Sequence, residues 1–299
     1  VGRRYDTISV LSDFGHVDGF AGQVTAVIRD LAPHVTVLDL SHDVPPFDVR
    51  AGSLTLARCV PYLPEGVVLA AVDPDVGTGR PPVAIEVADG AGVLVGPDNG
   101  LLAPAVAMAG GAQRAVALTD PDYHLARVGH TATGRDVLAP VAAHLCNGVD
   151  LAELGEVVEP GLLLPGVVPL PRYEGDTLVC EVLWVDHYGN CQLNIGPAEL
   201  ANQWQLASGD VVRVELLDLA GGRRIRAAVL ADTFAGLGPG EIGLIEDGYG
   251  MLALCCDRAS AAVELQVASG DQVVLSLPAE HESHAGPQVS TPVQLRPTR

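Results

Sequence analysis

The stretch Val67-Val68-Leu69-Ala70-Ala71-Val72-Asp73-Pro74-Asp75-Val76-Gly77-Thr78-Gly79-Arg80 decides what kind of fold this chain can adopt. Its apolar opening reads as a buried strand, and Asp73 stands at that strand's carboxyl end. Pro74 holds Asp73 extended, while Gly77 and Gly79 permit backbone angles that side chains forbid, so the loop can close around a ligand. In open α/β sheets, ligands bind at this end of the strands. Taken alone, the loop reads first as an ordinary turn with a solvated Asp and Arg. It lacks the Gly-Lys-Ser/Thr ending of a P-loop and the glycine spacing of a dinucleotide fingerprint, which sets phosphate binding aside. What remains is Asp73 and Arg80, close enough in sequence to pair, in which case the cation would keep the carboxylate ionised.

The same punctuation recurs on either side. Ile8 to Leu11 reads as a strand running into Ser12-Asp13-Phe14-Gly15, and Val17, Phe20, Val24, Val27, Ile28 and Leu31 follow at helical spacing until Pro33. Val35 to Leu40 is a second strand, ending in Ser41-His42-Asp43, after which Asp48 is placed to cap a helix through Arg58. Val83 to Val87 and Val93 to Val95 read as a hairpin, followed by a helix over Leu101 to Met108 and another entered through Gly134-Arg135-Asp136. Strands alternating with helices predict an α/β N-terminal domain on a mainly parallel sheet, with Asp13, Asp43 and Asp73 at successive strand ends.

From Glu159 to Asp176 the composition turns to Pro, Gly and Leu, which places an interdomain linker at 161–176 between a domain over 1–160 and one over 177–278. The second domain shows short alternating strands: Thr177 to Val185, Val211 to Leu217, Arg224 to Leu230, Met251 to Cys256 and Val263 to Val267. These predict an all-β module, barrel-like or a sandwich. Asp186-His187-Tyr188-Gly189-Asn190 follows its first strand as a polar cluster or a plain hairpin turn. Residues 279–299, with His281 and His284, read as a disordered tail.

The formal net charge is −20, which disfavours nucleic acids and anionic membranes, would not repel a cationic or zwitterionic small molecule, and by default reads as maintaining solubility. No apolar run is long enough for a bilayer and no signal pattern is read, so a cytoplasmic protein is expected. The six cysteines form no Cys-x-x-Cys pair and are read as buried free thiols. Asp13, Asp18, Asp73 and Asp75 could in principle ligate a hard cation, but no histidine set accompanies them.

Seven segments, in order from Ile8 to Leu265, carry a resemblance: Ser12-Asp13-Phe14-Gly15, Val44-Pro45-Pro46-Phe47-Asp48-Val49, Asp73 to Arg80, Pro97-Asp98-Asn99-Gly100-Leu101-Leu102, Gly134-Arg135-Asp136, Asp186 to Asn190, and Gly248-Tyr249-Gly250. Together they resemble the S-adenosyl-L-methionine (SAM) hydroxide adenosyltransferases, or SAM hydrolases, homologues of the SAM-dependent fluorinase and chlorinase. The resemblance implies hydrolysis of SAM to adenosine and L-methionine without metal or cofactor. It also implies a homotrimer whose sites lie between the N-terminal domain of one subunit and the C-terminal domain of its neighbour. Asp13 would then hold the ribose hydroxyls and Phe47 pack near the nucleoside. Tyr188 and Asn190 would contact the adenosine, Asp186 would take the methionine ammonium, and Tyr249 would lie near the amino-acid portion. Asn99 and Gly134 join this substrate-binding set.

Asp73 and Arg80 match two members of the family's Asp-Arg-His triad, thought to position and activate a water. The third departs: the family reads Thr-Phe-His-Gly-Arg-Asp where this chain has Thr131-Ala132-Thr133-Gly134-Arg135-Asp136, so Thr133 stands in the histidine's place. Thr133 can orient a water but cannot carry its proton as imidazole does. Asp73 and Arg80 could suffice, His130 could substitute, or another nucleophile could be used. Chlorinase-like use of a halide, favoured by the small Gly134, and a non-catalytic SAM- or adenosine-binding protein are the competing expectations.

Overall fold

The computed structural model describes residues 4–126, 131–217 and 223–278. His130 and the tail with His281 and His284 lie outside these. The chain forms two compact units that divide between Val168 and Pro169.

In the first unit the strands are β1 (Thr7–Ser12), β2 (Thr36–Ser41), β3 (Gly66–Ala71), β4 (Val83–Val87), β5 (Gly92–Gly96), β6 (Arg114–Ala117) and β7 (Glu156–Val158). They make one seven-stranded sheet in the order β2-β1-β3-β5-β4-β6-β7. The β2-β1-β3-β5 half is parallel, and β4, β6 and β7 extend it antiparallel. The expected hairpin is the β4–β5 pair. Helices α1 (Phe20–Leu31), α2 (Val49–Cys59), α3 (Ala103–Met108) and α4 (Ala139–Cys146) complete the unit. Alternate residues of the central strands, Ile8 and Val10, Val67 and Leu69, Val93 and Val95, join Val24, Ile28, Val141 and Leu145 in one core. All six residues of β3 are buried, as a strand covered on both faces requires. Asp48 caps α2, accepting from the Ala51 N–H at 2.8 Å. α1 starts three residues later than the apolar spacing implies, because Gly15 and Gly19 adopt positive φ and leave Val17 exposed.

The second unit contains β8 (Arg172–Glu174), β9 (Thr177–Val185), β10 (Cys191–Leu193), β11 (Val211–Leu217), β12 (Arg223–Leu230), β13 (Ile242–Glu246), β14 (Leu252–Cys255) and β15 (Gln272–Ser276), with α5 (Pro197–Gln203) and α6 (Ala261–Leu265). Because β10 pairs with β9 as well as β14, seven strands close into a barrel, with β8 added outside on β9. Closure leaves those seven strands without a free edge. Leu178, Val182, Leu193, Val214, Leu244 and Leu254 fill its core.

The expected strand over Val263 to Val267 is instead α6. The Ser260 hydroxyl accepts from the Val263 N–H and Gln266 ends the turn in left-handed geometry, so a cap and a stop override a short apolar alternation. All six cysteines are free thiols; burial pushes Cys146, Cys180, Cys191 and Cys255 up to about 12. Among the described residues no helix is long and apolar enough to cross a membrane.

Candidate active site

Three parallel strands deliver polar side chains to one end of the sheet: Asp13 follows β1, Asp73 follows β3, and Asp98 and Asn99 follow β5. Asp73, Arg80 and Thr133 line one cavity of about 820 Å³. Asp73 and Thr133 also border a smaller pocket of about 60 Å³, together with Asp13, Phe14, Val76 and Gly134. Both openings thus share the Asp73–Thr133 wall. Asp43, at the end of β2, lines neither; it is exposed and lies 3.9 Å from the His16 ring.

Arg80 does not pair with Asp73. Its guanidinium takes Asp98, whose other oxygen accepts the Leu164 N–H at 2.8 Å. Asp73 turns back on its own loop and accepts the Asp75 N–H at 3.1 Å. The cation is therefore spent on the buried carboxylate at the end of β5. Burial, then the charges of Asp75 and Asp13, raise the Asp73 carboxyl above the ordinary value of 3.8, although the Asp75 N–H pulls the other way. This reverses the expected electrostatics: Asp73 is more basic than an ordinary carboxylate.

Several motif residues hold the site together, some from behind its walls and some as part of them. Asn99 donates to the Val72 carbonyl at 2.9 Å and accepts the Leu101 N–H at 3.1 Å, tying the loop after β5 to the end of β3. Arg135 and Asp136 form a two-point ion pair at 2.6 and 3.0 Å, and Arg135 also reaches Gln23 at 3.1 Å. This fastens the π-helical turn Gly134–Leu138 to α1. Gly134 is small because Phe14 needs the space: a Cβ there would lie 2.5 Å from the Phe14 ring. Asp13 receives the Phe47 N–H at 2.9 Å on Oδ2, and Phe47, exposed, holds a φ of 68° that side chains rarely adopt.

In the barrel unit, Asp186 accepts the Tyr188 and Asn190 N–H groups, both at 2.8 Å, and the Asn190 side chain at 2.7 Å. The turn and the polar cluster are the same object: the carboxylate organises a loop that presents Tyr188 and Asn190 to a cavity of about 530 Å³. Phe234, Arg258 and Ser260 share that cavity and were not legible, since they belong to no motif. Tyr249 sits exposed in another turn, its N–H on Asp247, and is not on that cavity's wall. His124, likewise without a sequence signal, lines the 820 Å³ cavity, brought there by the short helical turn Pro121–Tyr123. Among the described residues no group of three or more His, Cys, Asp or Glu side chains is disposed to hold a metal.

Residues 8–155 match the SAM hydroxide adenosyltransferase N-terminal domain and residues 180–274 the corresponding C-terminal domain. The chain is 44% identical over 266 residues to the (R)-S-adenosyl-L-methionine hydrolase of Salinispora tropica, covering 89% of this chain and 96% of that protein. It is 25% identical to a fluorinase of an Actinoplanes species over 294 residues, 90% of this chain and 97% of that protein. The crystal structure of an uncharacterized conserved protein from Thermotoga maritima superposes with a TM-score of 0.81 at 29% identity, covering 90% of this chain and 99% of that one.

The Gly134 contact yields a direct test. Gly134→Ala drives a methyl group into the Phe14 ring and lowers stability by about 1–3 kcal/mol in chemical denaturation. Phe14→Leu in the same chain recovers part of that loss.

Proposed function

The chain belongs to the SAM hydroxide adenosyltransferase family, and from that premise we propose that it hydrolyses S-adenosyl-L-methionine, in the (R)-sulfonium form that its relatives' name specifies. The products are adenosine and L-methionine, and no metal or cofactor takes part. The observation that carries this reading is the wall shared by Asp73 and Thr133, which borders both the pocket beside Asp13 and the larger cavity.

A sulfonium leaves without being protonated, so displacement at the ribose C5′ needs only a nucleophile held in line behind that carbon and relieved of excess water. Water serves once a base takes its proton. Asp73 is that base, and its raised carboxyl moves it toward the operating pH, where general-base catalysis gains. Thr133 accepts and donates hydrogen bonds and so orients the water, while Arg80, locked on Asp98, fixes the loop wall. Asp13 keeps Oδ1 for a ribose hydroxyl while Oδ2 holds Phe47. Attack forms the C5′–O bond and breaks the C5′–S bond; the electron pair leaves with sulfur as neutral methionine, and the water's proton passes to Asp73.

A halide would meet the Asp73 charge at a cost on the order of 1–4 kcal/mol for charges about 4 Å apart. The small Gly134, which favoured a halide site, is accounted for by the Phe14 ring. Water is the better nucleophile for this wall.

The family resemblance extends the proposal to a cytoplasmic homotrimer, in which the barrel of a neighbouring subunit brings Tyr188, Asn190 and Asp186 to the nucleoside and methionine portions. Closed cyclic assembly permits such sharing.

Incubation of the purified protein with (R)-SAM gives equimolar adenosine and methionine by chromatography. Asp73→Asn lowers kcat by about 10²–10⁴; unchanged turnover in that variant removes Asp73 from the mechanism. Because the base must be ionised and its carboxyl is raised, kcat falls on the acid side at a pH above the ordinary carboxylate value. The same sign makes the ionised group a stability cost above its folded pKa, so Asp73→Asn melts at a higher temperature at pH 7.

Mixing subunits tests the shared site. Asp73→Asn and Asn190→Ala proteins, each inactive alone, regain activity in about a quarter of the sites when co-refolded, since random cyclic exchange pairs intact halves at that frequency. Absence of any recovery in mixed oligomers argues against sites shared between subunits.

A further inference from the structure

One line of side chains, buried at Ser12 and His42 and exposed at its Asp39 end, has no part in the chemistry above. Ser12 Oγ lies 2.7 Å from His42 Nδ1, and His42 Nε2 lies 3.2 Å from Asp39 Oδ1. The order Ser-His-Asp invites comparison with a nucleophilic triad, but Ser12 is fully buried and His42 nearly so, and no substrate reaches that hydroxyl. The connections point inward, toward the loop that carries Asp13.

The hydrogen-bond directions follow from the partners. The Asp39 carboxylate only accepts, so Nε2 carries a ring proton, and with the imidazole assigned as neutral Nδ1 is the acceptor. Ser12 therefore donates its hydroxyl to Nδ1, and its oxygen accepts the Phe14 N–H at 3.3 Å. The backbone is stitched alongside: the Gly15 N–H donates to the His42 carbonyl at 2.7 Å and the Val44 N–H to the Ser12 carbonyl at 3.3 Å. Asp13 sits between residues pinned on both sides to the His42 segment, and its own N–H is held by the Ala71 carbonyl at 3.3 Å. The His16 ring meets His42 edge-on at 5.3 Å, closing the remaining side.

We infer that His42 is a positioning residue for sugar recognition: through Ser12 and the Asp13–Gly15 loop, it fixes the angle at which the Asp13 carboxylate meets the ribose hydroxyls. This rests on the reading of Asp13 as the ribose acceptor. His42 touches no reacting atom. Its effect is selectivity for a ribose over a deoxyribose, because a carboxylate free to swing pays back part of each hydroxyl bond in ordering entropy.

The test compares kcat/KM for SAM and for its 2′-deoxyribose analogue in the unsubstituted enzyme and in His42 variants, with thermal melts to verify folding. The unsubstituted enzyme prefers the ribose substrate. His42→Leu raises KM for SAM about tenfold, the worth of one well-placed hydrogen bond, leaves kcat within about threefold and erases most of that preference. His42→Asn, whose side-chain oxygen falls near the Nδ1 position, regains the Ser12 bond and most of the preference. His42→Gln, which reaches Asp39 but not Ser12, does not, and supplies the comparison should His42→Leu fail to fold. A preference unchanged in folded His42→Leu or His42→Gln overturns the positioning role and leaves the hydrolase reading standing. An unsubstituted enzyme that makes no adenosine from SAM overturns both.

Discussion

The structure is arranged around a carboxylate that emerges from a central strand buried along its whole length and that makes no ion pair with Arg80. β3 lies between β1 and β5, with every residue covered, and Asp73 follows it at the point where the sheet opens to a cavity. Arg80, the natural counterion by sequence, is drawn off to Asp98. Half-buried, Asp73 keeps the desolvation of its site and the neighbouring charges of Asp75 and Asp13, which together outweigh the Asp75 N–H bond and favour its protonated form. Such a group accepts a proton readily, repels anions and attracts a sulfonium. On the function proposed above, this one charge unites base strength, preference for water over halide, and affinity for a cationic substrate.

Holding that charge in place is the work of residues that face away from the ligand. Asn99 bolts the end of β3 to the loop after β5, and the Arg135–Asp136 pair anchors the turn that carries Thr133 and Gly134. Phe14 packs edge-to-face on Phe20 at 4.7 Å, and its ring accounts for the missing side chain at Gly134. Ser12 and His42, 2.7 Å apart, lie behind the loop that carries Asp13, where the inference drawn above gives them the corresponding task. On the proposed function, a motif shared with other proteins therefore mixes two kinds of residue: those that face the cavities, and those that stop the first kind from moving.

Much of this was legible in the sequence. The β1 to β5 strands, the Asp48 cap, the β4–β5 hairpin and the all-β character of the second domain follow from local periodicity and turn chemistry, while the choice of a barrel over a sandwich came from the family resemblance. The helix over Ala261–Leu265 did not, because five apolar-rich residues cannot distinguish the two periods and the deciding Ser260 cap is a side-chain contact. The Asp73–Arg80 pairing failed for a related reason: Asp98 lies in a different loop, and only the parallel sheet brings it within reach of Arg80. The same holds for His42, set beside Ser12 by the β1–β2 pairing, and for Phe234 and Arg258, gathered by barrel closure. Asp186 was read both as a turn former and as a site residue; its two oxygens hold the turn, and Tyr188 and Asn190 face the cavity.

The most direct measurement is a single turnover in ¹⁸O-labelled water, with enzyme in excess over (R)-SAM and both adenosine and the Asp73 peptide examined by mass spectrometry. If Asp73 removes a proton from a water that itself attacks C5′, the first adenosine formed carries the label at its 5′-hydroxyl and Asp73 carries none. Unlabelled adenosine accompanied by label in Asp73 would mean that the carboxylate attacks carbon directly, and would contradict its role as base.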